Sequence, residues 1–193
     1  MNVKEKFLEL SNISKTFPGV KALDRVQFDI YPGEVHALVG ENGAGKSTLI
    51  KILSGVQPAD DGGRIVIEGK ETVLTDAMDA IKKGISVIYQ DFALFTNLTV
   101  AENIGINEIL EKNQKILNWK EINKRAEEAL DFLKTDIKPS QIVGNLSVAK
   151  QQMVAIASAV AQNAKMIIMD EPTSALSKHE VERLYEIIED LKS

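Results

Sequence analysis

Three short motifs hold the residues whose types and spacing could carry chemistry. The first spans Gly40–Ser47 with the sequence Gly-Glu-Asn-Gly-Ala-Gly-Lys-Ser, which fits the pattern GxxxxGK[ST]. Glycines let a backbone turn tightly and direct its N–H groups at phosphate oxygens, and a helix that starts there adds positive potential. The motif therefore predicts a phosphate-binding loop, with Lys46 on the β- and γ-phosphates and Ser47 on Mg²⁺.

The second motif is a pair of carboxylates, Asp170 and Glu171, directly after the apolar run Met166–Met169. In proteins with such a loop, an Asp at the end of a buried strand holds Mg²⁺. Glu171 lies one residue further, where a carboxylate can orient and deprotonate an attacking water. An isolated apolar run that ends in acid is more often an ordinary strand end. The loop upstream favours the functional interpretation here.

The third motif, Leu146–Gln152, lies between the other two and opens a helix at Ser147. Taken alone, it is best interpreted as a capping serine followed by a solvated polar turn.

The elements that position these motifs follow an α/β pattern, in which short apolar runs alternate with amphipathic stretches. Four runs are predicted as strands: Val35–Gly40, Arg64–Glu68, Ile85–Gln90 and Met166–Asp170. Phe7–Ile13 and Val26–Ile30 are instead bounded by Pro-Gly pairs, which indicates an antiparallel addition at the N-terminus.

Helical signals dominate between residues 91 and 160. Asn118 with Glu121, and Ser177 with Glu180, have the spacing of a capping box, and a further helix is predicted from Ser147. The last helix is predicted to bury one face, formed by Val181, Leu184, Ile188 and Leu191.

Composition narrows the class of protein. The 193 residues include 23 Lys and Arg against 28 Asp and Glu, for a net charge of −5, and no cysteine. Disulfide scaffolds and cysteine nucleophiles are excluded, and the acidic balance disfavours nucleic acid as a general partner. The longest unbroken apolar run, Met153–Ala157, is far shorter than the roughly 20 residues of a membrane-spanning helix.

In their order along the chain, these motifs resemble those of the ATP-binding cassette ATPases. The resemblance rests on Gly40–Ser47, Gln90, Leu146–Gln152, Ile167–Glu171 and Ser174–Ser177, and it covers essentially the whole chain. Within that family, the segments Pro32–Gly40, Ile88–Asp91 and Leu98–Ile104 and the signature Leu-Ser-Val-Ala-Lys-Gln-Gln-Met resemble the importers of ribose, galactose and xylose. The implied fold is a P-loop NTPase (RecA-like) core with an N-terminal antiparallel β addition, a helical insertion and a C-terminal truncation.

The resemblance also implies a role for each site residue. Phe17 stacks on adenine, although a core position is the alternative, and Gln90 contacts Mg²⁺ and the attacking water. Ser147 faces the γ-phosphate bound by an opposite cassette. The nucleotide-binding set is Phe17, Gly40, Glu41, Asn42, Gly43, Ala44, Gly45, Lys46, Ser47, Thr48 and Ser147, the Mg²⁺ ligands are Ser47, Gln90 and Asp170, and the catalytic residues are Glu171, Lys46 and Gln90.

Two departures from the family pattern bear on activity. The usual signature has Gly-Gly where this chain has Val148-Ala149, and the added Cβ atoms hinder a close approach of backbone to phosphate. The family also places a γ-phosphate histidine on a strand beyond Ser193. His36 and His179 do not take its place, because we expect the first to be structural and the second to be solvated. A cassette without that strand is expected to hydrolyse ATP slowly and to leave a sheet edge unpaired.

The resulting interpretation is the ATP-binding, ATP-hydrolysing N-terminal cassette of a sugar importer, with ATP and Mg²⁺ as cofactors. The core is predicted over 1–90 and 161–193, and the helical subdomain over 91–160. The expected partners are a second cassette, fused or as a homodimer, and integral-membrane permease subunits, at the cytoplasmic face of the cell membrane. Three alternatives stay open: a cassette ATPase of DNA repair or translation, a small-molecule kinase with a P-loop, and a fragment that binds without catalysis.

Overall fold

The computed structural model describes residues 5–111 and 118–192. These residues group into two compact units, and each unit is described by itself. The first comprises the described residues of Met1–Ile85 and Ile188–Ser193, and the second comprises those of Ser86–Ile187. The predicted boundaries at residues 90 and 161 remain a prediction.

An antiparallel sheet dominates the first unit. Its strands are β1 (Leu8–Phe17), β2 (Val20–Ile30), β3 (Arg64–Ile67) and β4 (Lys70–Thr72), in the order β2-β1-β3-β4. β1 pairs with β2 from Leu8↔Ile30 to Phe17↔Val20, and it pairs with β3 on its other edge. The N-terminal antiparallel addition is therefore confirmed.

Apolar side chains of the sheet and of one helix form the core of this unit. Leu8 and Leu10 alternate along β1 and are buried, as expected for a strand with one face on a core. Ile13 is also buried, because the register of β1 shifts between Leu10 and Ile13. Helix α1 (Lys46–Leu53) buries Leu49, Ile50, Ile52 and Leu53. A short helix α2 (Ala77–Lys82) begins where the Asp76 side chain accepts a hydrogen bond from the Asp79 N–H at 2.8 Å.

The strand predicted over Val35–Gly40 is wrong. The segment forms no strand, and Val35, Leu38 and Val39 are 58, 45 and 88% exposed. The apolar run predicted a buried strand, but a strand needs a hydrogen-bonded neighbour on at least one edge. No described strand pairs with this segment, so its backbone has no ladder to join.

The second unit contains a two-stranded sheet, formed by β5 (Ile85–Ile88) and β6 (Met166–Met169). The Asp170 N–H donates to the Ile88 carbonyl at 3.0 Å, so the carboxyl ends of the two strands lie side by side. Both strands were predicted, each one or two residues longer.

Helices make up the rest of the second unit. They are α3 (Val100–Glu111), α4 (Trp119–Phe132), a single 3₁₀ turn (Val143–Asn145), α5 (Val148–Ala161) and α6 (Lys178–Leu191), whose last residues belong to the first unit. The predicted caps are confirmed, because Asn118 and Ser147 accept hydrogen bonds from the N–H groups of Glu121 and Lys150 at 3.4 Å each. Ser177 and Glu180 also form their predicted pair, at 2.8 and 2.7 Å.

The buried face of α6 differs from the prediction. Leu184 is buried as predicted, but its fully buried companion is Ile187, and Val181, Ile188 and Leu191 are only half-buried. Leu184 and Ile187 are three residues apart, which places them on one side of the helix. The side chain of His179, in the first turn, is 95% exposed, which confirms that it is solvated.

None of the helices in the described ranges 5–111 and 118–192 is long and apolar enough to cross a membrane.

Candidate functional site

The loop Gly40–Ser47 has the backbone that a phosphate-binding loop requires. Gly43 and Gly45 take φ values of 86° and 89°, in the left-handed region that side chains disfavour. Helix α1 starts immediately afterwards, and its first-turn bond runs from the Leu49 N–H to the Gly45 carbonyl at 2.9 Å. The loop therefore ends at the N-terminus of a helix, where the peptide dipoles favour binding of an anion.

Strand β2 positions the loop through a close contact at Gly45. A Cβ at this glycine would overlap the Ala22 carbonyl oxygen and lie 2.8 Å from Leu23 Cδ2. Glycine is thus required at position 45 for two reasons: its backbone angle is left-handed, and β2 leaves no room for a Cβ. The motif predicted the glycine but not this contact, because the contact depends on how the sheet packs.

The ammonium of Lys46 lies at the mouth of the loop. Its Nζ donates to the carbonyls of Gly40 and Glu41, at 2.6 and 2.9 Å. Residues 41–44 and Ser47 are exposed around it, so a ligand can reach the loop from solvent. Positive charge, a helix N-terminus and an exposed hydroxyl together form a site for a phosphate group.

Two other residues that the sequence analysis singled out in the first unit, Phe17 and His36, lie outside the loop Gly40–Ser47. Phe17 is half-buried at the end of β1, where it pairs with Val20, and the Lys15 Nζ lies 6.0 Å from its ring centroid. His36 is exposed, bonds to the Glu34 carboxylate at 2.9 Å and meets the Phe28 ring edge-on at 5.3 Å. A structural role for His36 is consistent with these contacts, although it does not lie on a strand.

The acidic pair of the second unit lies where the two strands end. Asp170 adjoins Ile88 through its backbone bond, and Gln90 follows Ile88 by two residues. The structure therefore brings Asp170 and Gln90 to neighbouring strand ends. Glu171 and Gln90 are both exposed to solvent.

Glu171 has a strained backbone, with φ of 46°. A non-glycine residue in the left-handed region costs about 1–2 kcal/mol, so its surroundings must enforce it. The carbonyl of Glu171 accepts bonds from the Ser174 N–H and hydroxyl, at 3.2 and 3.0 Å. The next carbonyl, of Pro172, accepts the Gln152 Nε2 at 2.9 Å.

A cavity of about 180 Å³ in the second unit is lined by two of the predicted site residues, Gln90 and Glu171, but not by Asp170 or Ser147. Its walls come from the segment that follows β5, from the start of α5 and from the turn after β6. They comprise Gln90–Phe92, Val148, Gln152, Glu171, Pro172 and Ser174–Leu176. Gln90 and Glu171 therefore share one cavity, and Val148 of the signature lines it.

A buried asparagine fixes the segment after Gln90. Phe92 and Ala93 take φ values of 52° and 49°, and the segment then meets Asn103 of α3, which is 2% exposed. Asn103 accepts from the Phe95 N–H at 2.8 Å and donates to the carbonyls of Phe95 and Thr99 at 2.9 Å each. These three hydrogen bonds form a clamp on the segment. The sequence motif Leu98–Ile104 contains Asn103, but the clamp was not predicted from it.

The signature segment presents a capped helix start to solvent. Ser147 is the N-cap of α5, and Val148, in the first turn, is 44% exposed. Lys150 Nζ bonds to the Asp136 carboxylate at 2.8 Å, and this hydrogen bond holds the pKa of Asp136 below its usual value. The side chain of Val148 is therefore accessible from solvent at the start of α5.

Residues 5–111 and 118–192 contain no group of three or more His, Cys, Asp or Glu that could hold a metal ion by itself. The predicted Mg²⁺ ligands, Ser47, Gln90 and Asp170, are a hydroxyl, an amide and a carboxylate, all hard oxygen donors of the kind that Mg²⁺ takes. This donor set fits an ion that is shared with substrate phosphates rather than caged by protein.

The loop at the start of α1 and the acidic strand end after β6 define the class: a P-loop nucleotide-binding protein. The chain belongs to the ABC transporter family, whose model matches residues 23–174. Family membership argues against a small-molecule kinase.

Curated relatives are similar over nearly all of this chain. The ribose import ATP-binding protein RbsA 1 of Agrobacterium fabrum is 46% identical over 185 residues, covering 96% of this chain and 36% of the relative. The xylose import ATP-binding protein XylG of Geobacillus kaustophilus is 46% identical over 187 residues, covering 96% and 37%. The chain thus spans about a third of the length of these relatives.

Solved cassettes share the fold. MJ1267 in its ADP conformation, an ATP-binding cassette of an ABC transporter, has a TM-score of 0.84 and 30% identity, covering 97% of this chain and 77% of the other. The cassette MJ0796, in a dimeric post-hydrolysis state bound to ADP and Pi, has a TM-score of 0.77 and 28% identity, covering 96% and 83%. The predicted P-loop NTPase fold is confirmed.

Proposed function

We propose that this chain is the ATP-binding and ATP-hydrolysing cassette of a monosaccharide importer. The observation that carries the proposal is the loop at the start of α1, where Gly45 packs on β2 and the Lys46 ammonium lies among the loop carbonyls. The sugar class is supported by relatives named for ribose and xylose import that are 46% identical over 96% of this chain. Their names do not support a role in DNA repair or translation.

In this proposal the residues of the loop bind the phosphates of ATP. The backbone N–H groups of the loop Gly40–Thr48 surround the phosphates, those of Glu41, Asn42 and Ala44 included. The Lys46 ammonium neutralises the β- and γ-phosphates. Phe17 stacks on the adenine ring. These contacts supply binding, and the Lys46 charge also stabilises the transferring phosphoryl group.

Catalysis is assigned to the cavity of the second unit. Glu171 orients a water and takes its proton, and Gln90 positions that water through its amide. Ser47, Gln90 and Asp170 are the proposed Mg²⁺ ligands, and the ion would neutralise charge on the phosphate oxygens. The exposed position of Glu171 at a strand end lets solvent water reach its carboxylate.

The proposed partners are a second cassette and integral-membrane permease subunits, at the cytoplasmic face of the membrane. Ser147 and the first turn of α5 are the surface proposed to meet the γ-phosphate of the second cassette. Support comes from the exposed, capped start of α5 and from the dimeric state of the cassette MJ0796. We expect weak hydrolysis by a lone cassette, because its own signature cannot complete its own site.

Equilibrium titration with a fluorescent ATP analogue tests the binding half of the proposal. Wild-type protein is expected to bind, and Lys46→Ala is expected to lose binding by about 1.5–3 kcal/mol, or roughly ten- to a hundredfold, the range for a hydrogen bond to a charged group. Lys51→Ala, in the last turn of the same helix, is the matched control and should bind normally. Equal binding by all three proteins would contradict the assignment of the loop.

An ATPase assay tests the hydrolysis half. Glu171→Gln should abolish turnover while leaving nucleotide binding intact, and Glu127→Gln, an exposed glutamate of α4, should leave both unchanged. Fast hydrolysis by the isolated 193-residue chain would contradict the expectation that a second cassette is needed. Turnover that survives in Glu171→Gln would remove the general base from the mechanism.

A further inference from the structure

Gln152 occupies an environment that does not suit an amide. Its side chain is fully buried on α5, and it is followed by Met153–Ala157, which are all buried and apolar. Taking an amide out of water costs free energy unless hydrogen bonds replace those lost. A residue present only to fill this space would be Leu or Met, so the amide must do something that packing does not explain.

The amide makes one hydrogen bond and leaves its other end unpaired. Nε2 donates to the Pro172 carbonyl at 2.9 Å, whereas Oε1 is buried and has no partner among the described residues. An orphaned buried acceptor carries a desolvation cost, and such exceptions call for a reason. The hydrogen bond to Pro172 is the interaction that the buried amide provides in return for this free-energy cost.

Pro172 is the residue that follows Glu171, whose left-handed backbone is strained. Ser174 fixes the Glu171 carbonyl, and the Asp170 N–H is fixed on Ile88. The Gln152 bond adds a third contact, on the C-terminal side of Glu171, because it holds the Pro172 carbonyl from helix α5. Glu171 is thereby held between β5, its own turn and α5.

We propose that Gln152 is a positioning residue, which anchors the turn after Glu171 to the signature helix and so aims the Glu171 carboxylate into the cavity that it shares with Gln90. The proposal rests on the assignment of Glu171 as general base. Gln152 also lines that cavity, but the contact that carries the proposal is its hydrogen bond to the Pro172 carbonyl. It acts through the backbone of Pro172.

The test compares Gln152→Met with Gln162→Met in the full-length protein. Met matches Gln in size and removes only the amide. Gln162 is a matched control, because it caps the other end of α5, away from the signature, and its Nε2 donates to the Ser158 hydroxyl at 2.9 Å. Each variant is assayed for nucleotide affinity, steady-state ATPase and hydrogen–deuterium exchange.

Gln152→Met is expected to lower kcat about tenfold, the effect of losing one buried hydrogen bond, with KM and nucleotide affinity unchanged. Amide exchange over residues 170–176 should be faster. Gln162→Met should leave these readouts at wild-type values.

Three results would overturn the proposal: a kcat no lower than that of Gln162→Met, a KM that rises by the same factor as kcat falls, or unchanged exchange over 170–176. If wild-type protein neither binds nor hydrolyses ATP, the proposed function fails, and the exchange data still decide whether Gln152 fixes the turn. If Gln152→Met does not fold, Gln152→Asn takes its place with the same expectations, because it keeps the amide but shortens its reach.

Discussion

Replacing Asn103 by Ala is expected to destabilise the second unit far more than an ordinary substitution in a helix. The side chain is almost fully buried and makes three hydrogen bonds, two of them to the backbone of Phe95. Alanine removes all three. The Phe95 carbonyl keeps its bond from the Leu98 N–H at 3.1 Å, whereas the Phe95 N–H must find water. The substitution therefore detaches the segment that follows Gln90 from helix α3 at Phe95.

The magnitude follows from those bonds. Each intramolecular hydrogen bond contributes about 1 kcal/mol net, so three predict about 3 kcal/mol. Alanine returns about 0.5 kcal/mol through its higher helix propensity. Because Phe95 itself is 51% exposed, water can replace part of the lost bonding, and the expected loss is about 2–3 kcal/mol in the free energy of unfolding.

Urea denaturation followed by circular dichroism measures this loss, with Asn123→Ala as the control. Asn123 is also an asparagine within a helix, and its Nδ2 donates to the Trp119 carbonyl at 2.8 Å on an exposed surface. We expect its replacement to change stability by less than about 0.5 kcal/mol. If Asn103→Ala costs no more than Asn123→Ala, the clamp does not stabilise the segment and the reasoning is refuted.

Two further predictions concern charge and glycine. Hydrogen bonds from the Thr99 N–H and hydroxyl hold the pKa of Glu102 below its ordinary value of 4.5, so the stability that wild type gains over Glu102→Gln is present above pH 4.5 and disappears as pH falls through the lower, folded pKa. Denaturation curves at several pH values check this, and a pH-independent difference would contradict it. Gly45→Ala should lower Tm and nucleotide affinity much more than Gly43→Ala, because an added Cβ strikes Ala22 at position 45 but meets nothing within 4 Å at position 43. Equal effects in thermal melts and titrations would show that the backbone angle alone matters.

Local features of the fold were predictable because they are encoded in neighbouring residues. The caps at Asn118, Ser147 and Ser177 depend on side chains three positions from their partners, and all three formed as predicted. The phosphate loop is similar, since its glycines and Lys46 lie within eight residues. Such features need no knowledge of the tertiary structure.

Features that depend on distant partners could not be predicted. The apolar run Val35–Gly40 suggested a strand, but a strand exists only when another strand pairs with it. The face of α6 was misjudged at Ile187, because burial depends on what packs against a helix as well as on its periodicity.

The buried amides show the same limit. Gln152 and Asn103 look like ordinary polar residues in the sequence, and only tertiary packing reveals that both are buried and hydrogen-bonded to backbone. Polar residues inside otherwise apolar helical stretches are the signal that could have singled them out.

The left-handed backbone at Glu171 places stability and activity in opposition at a single position. Glycine adopts that conformation without a steric penalty, so it would relieve about 1 kcal/mol of strain while removing the carboxylate. Stability alone would favour glycine at 171, whereas the proposed role as general base requires the carboxylate. In a copy of this gene that no longer needs to hydrolyse ATP, Glu171→Gly is therefore a change that can raise stability and remove activity in one step.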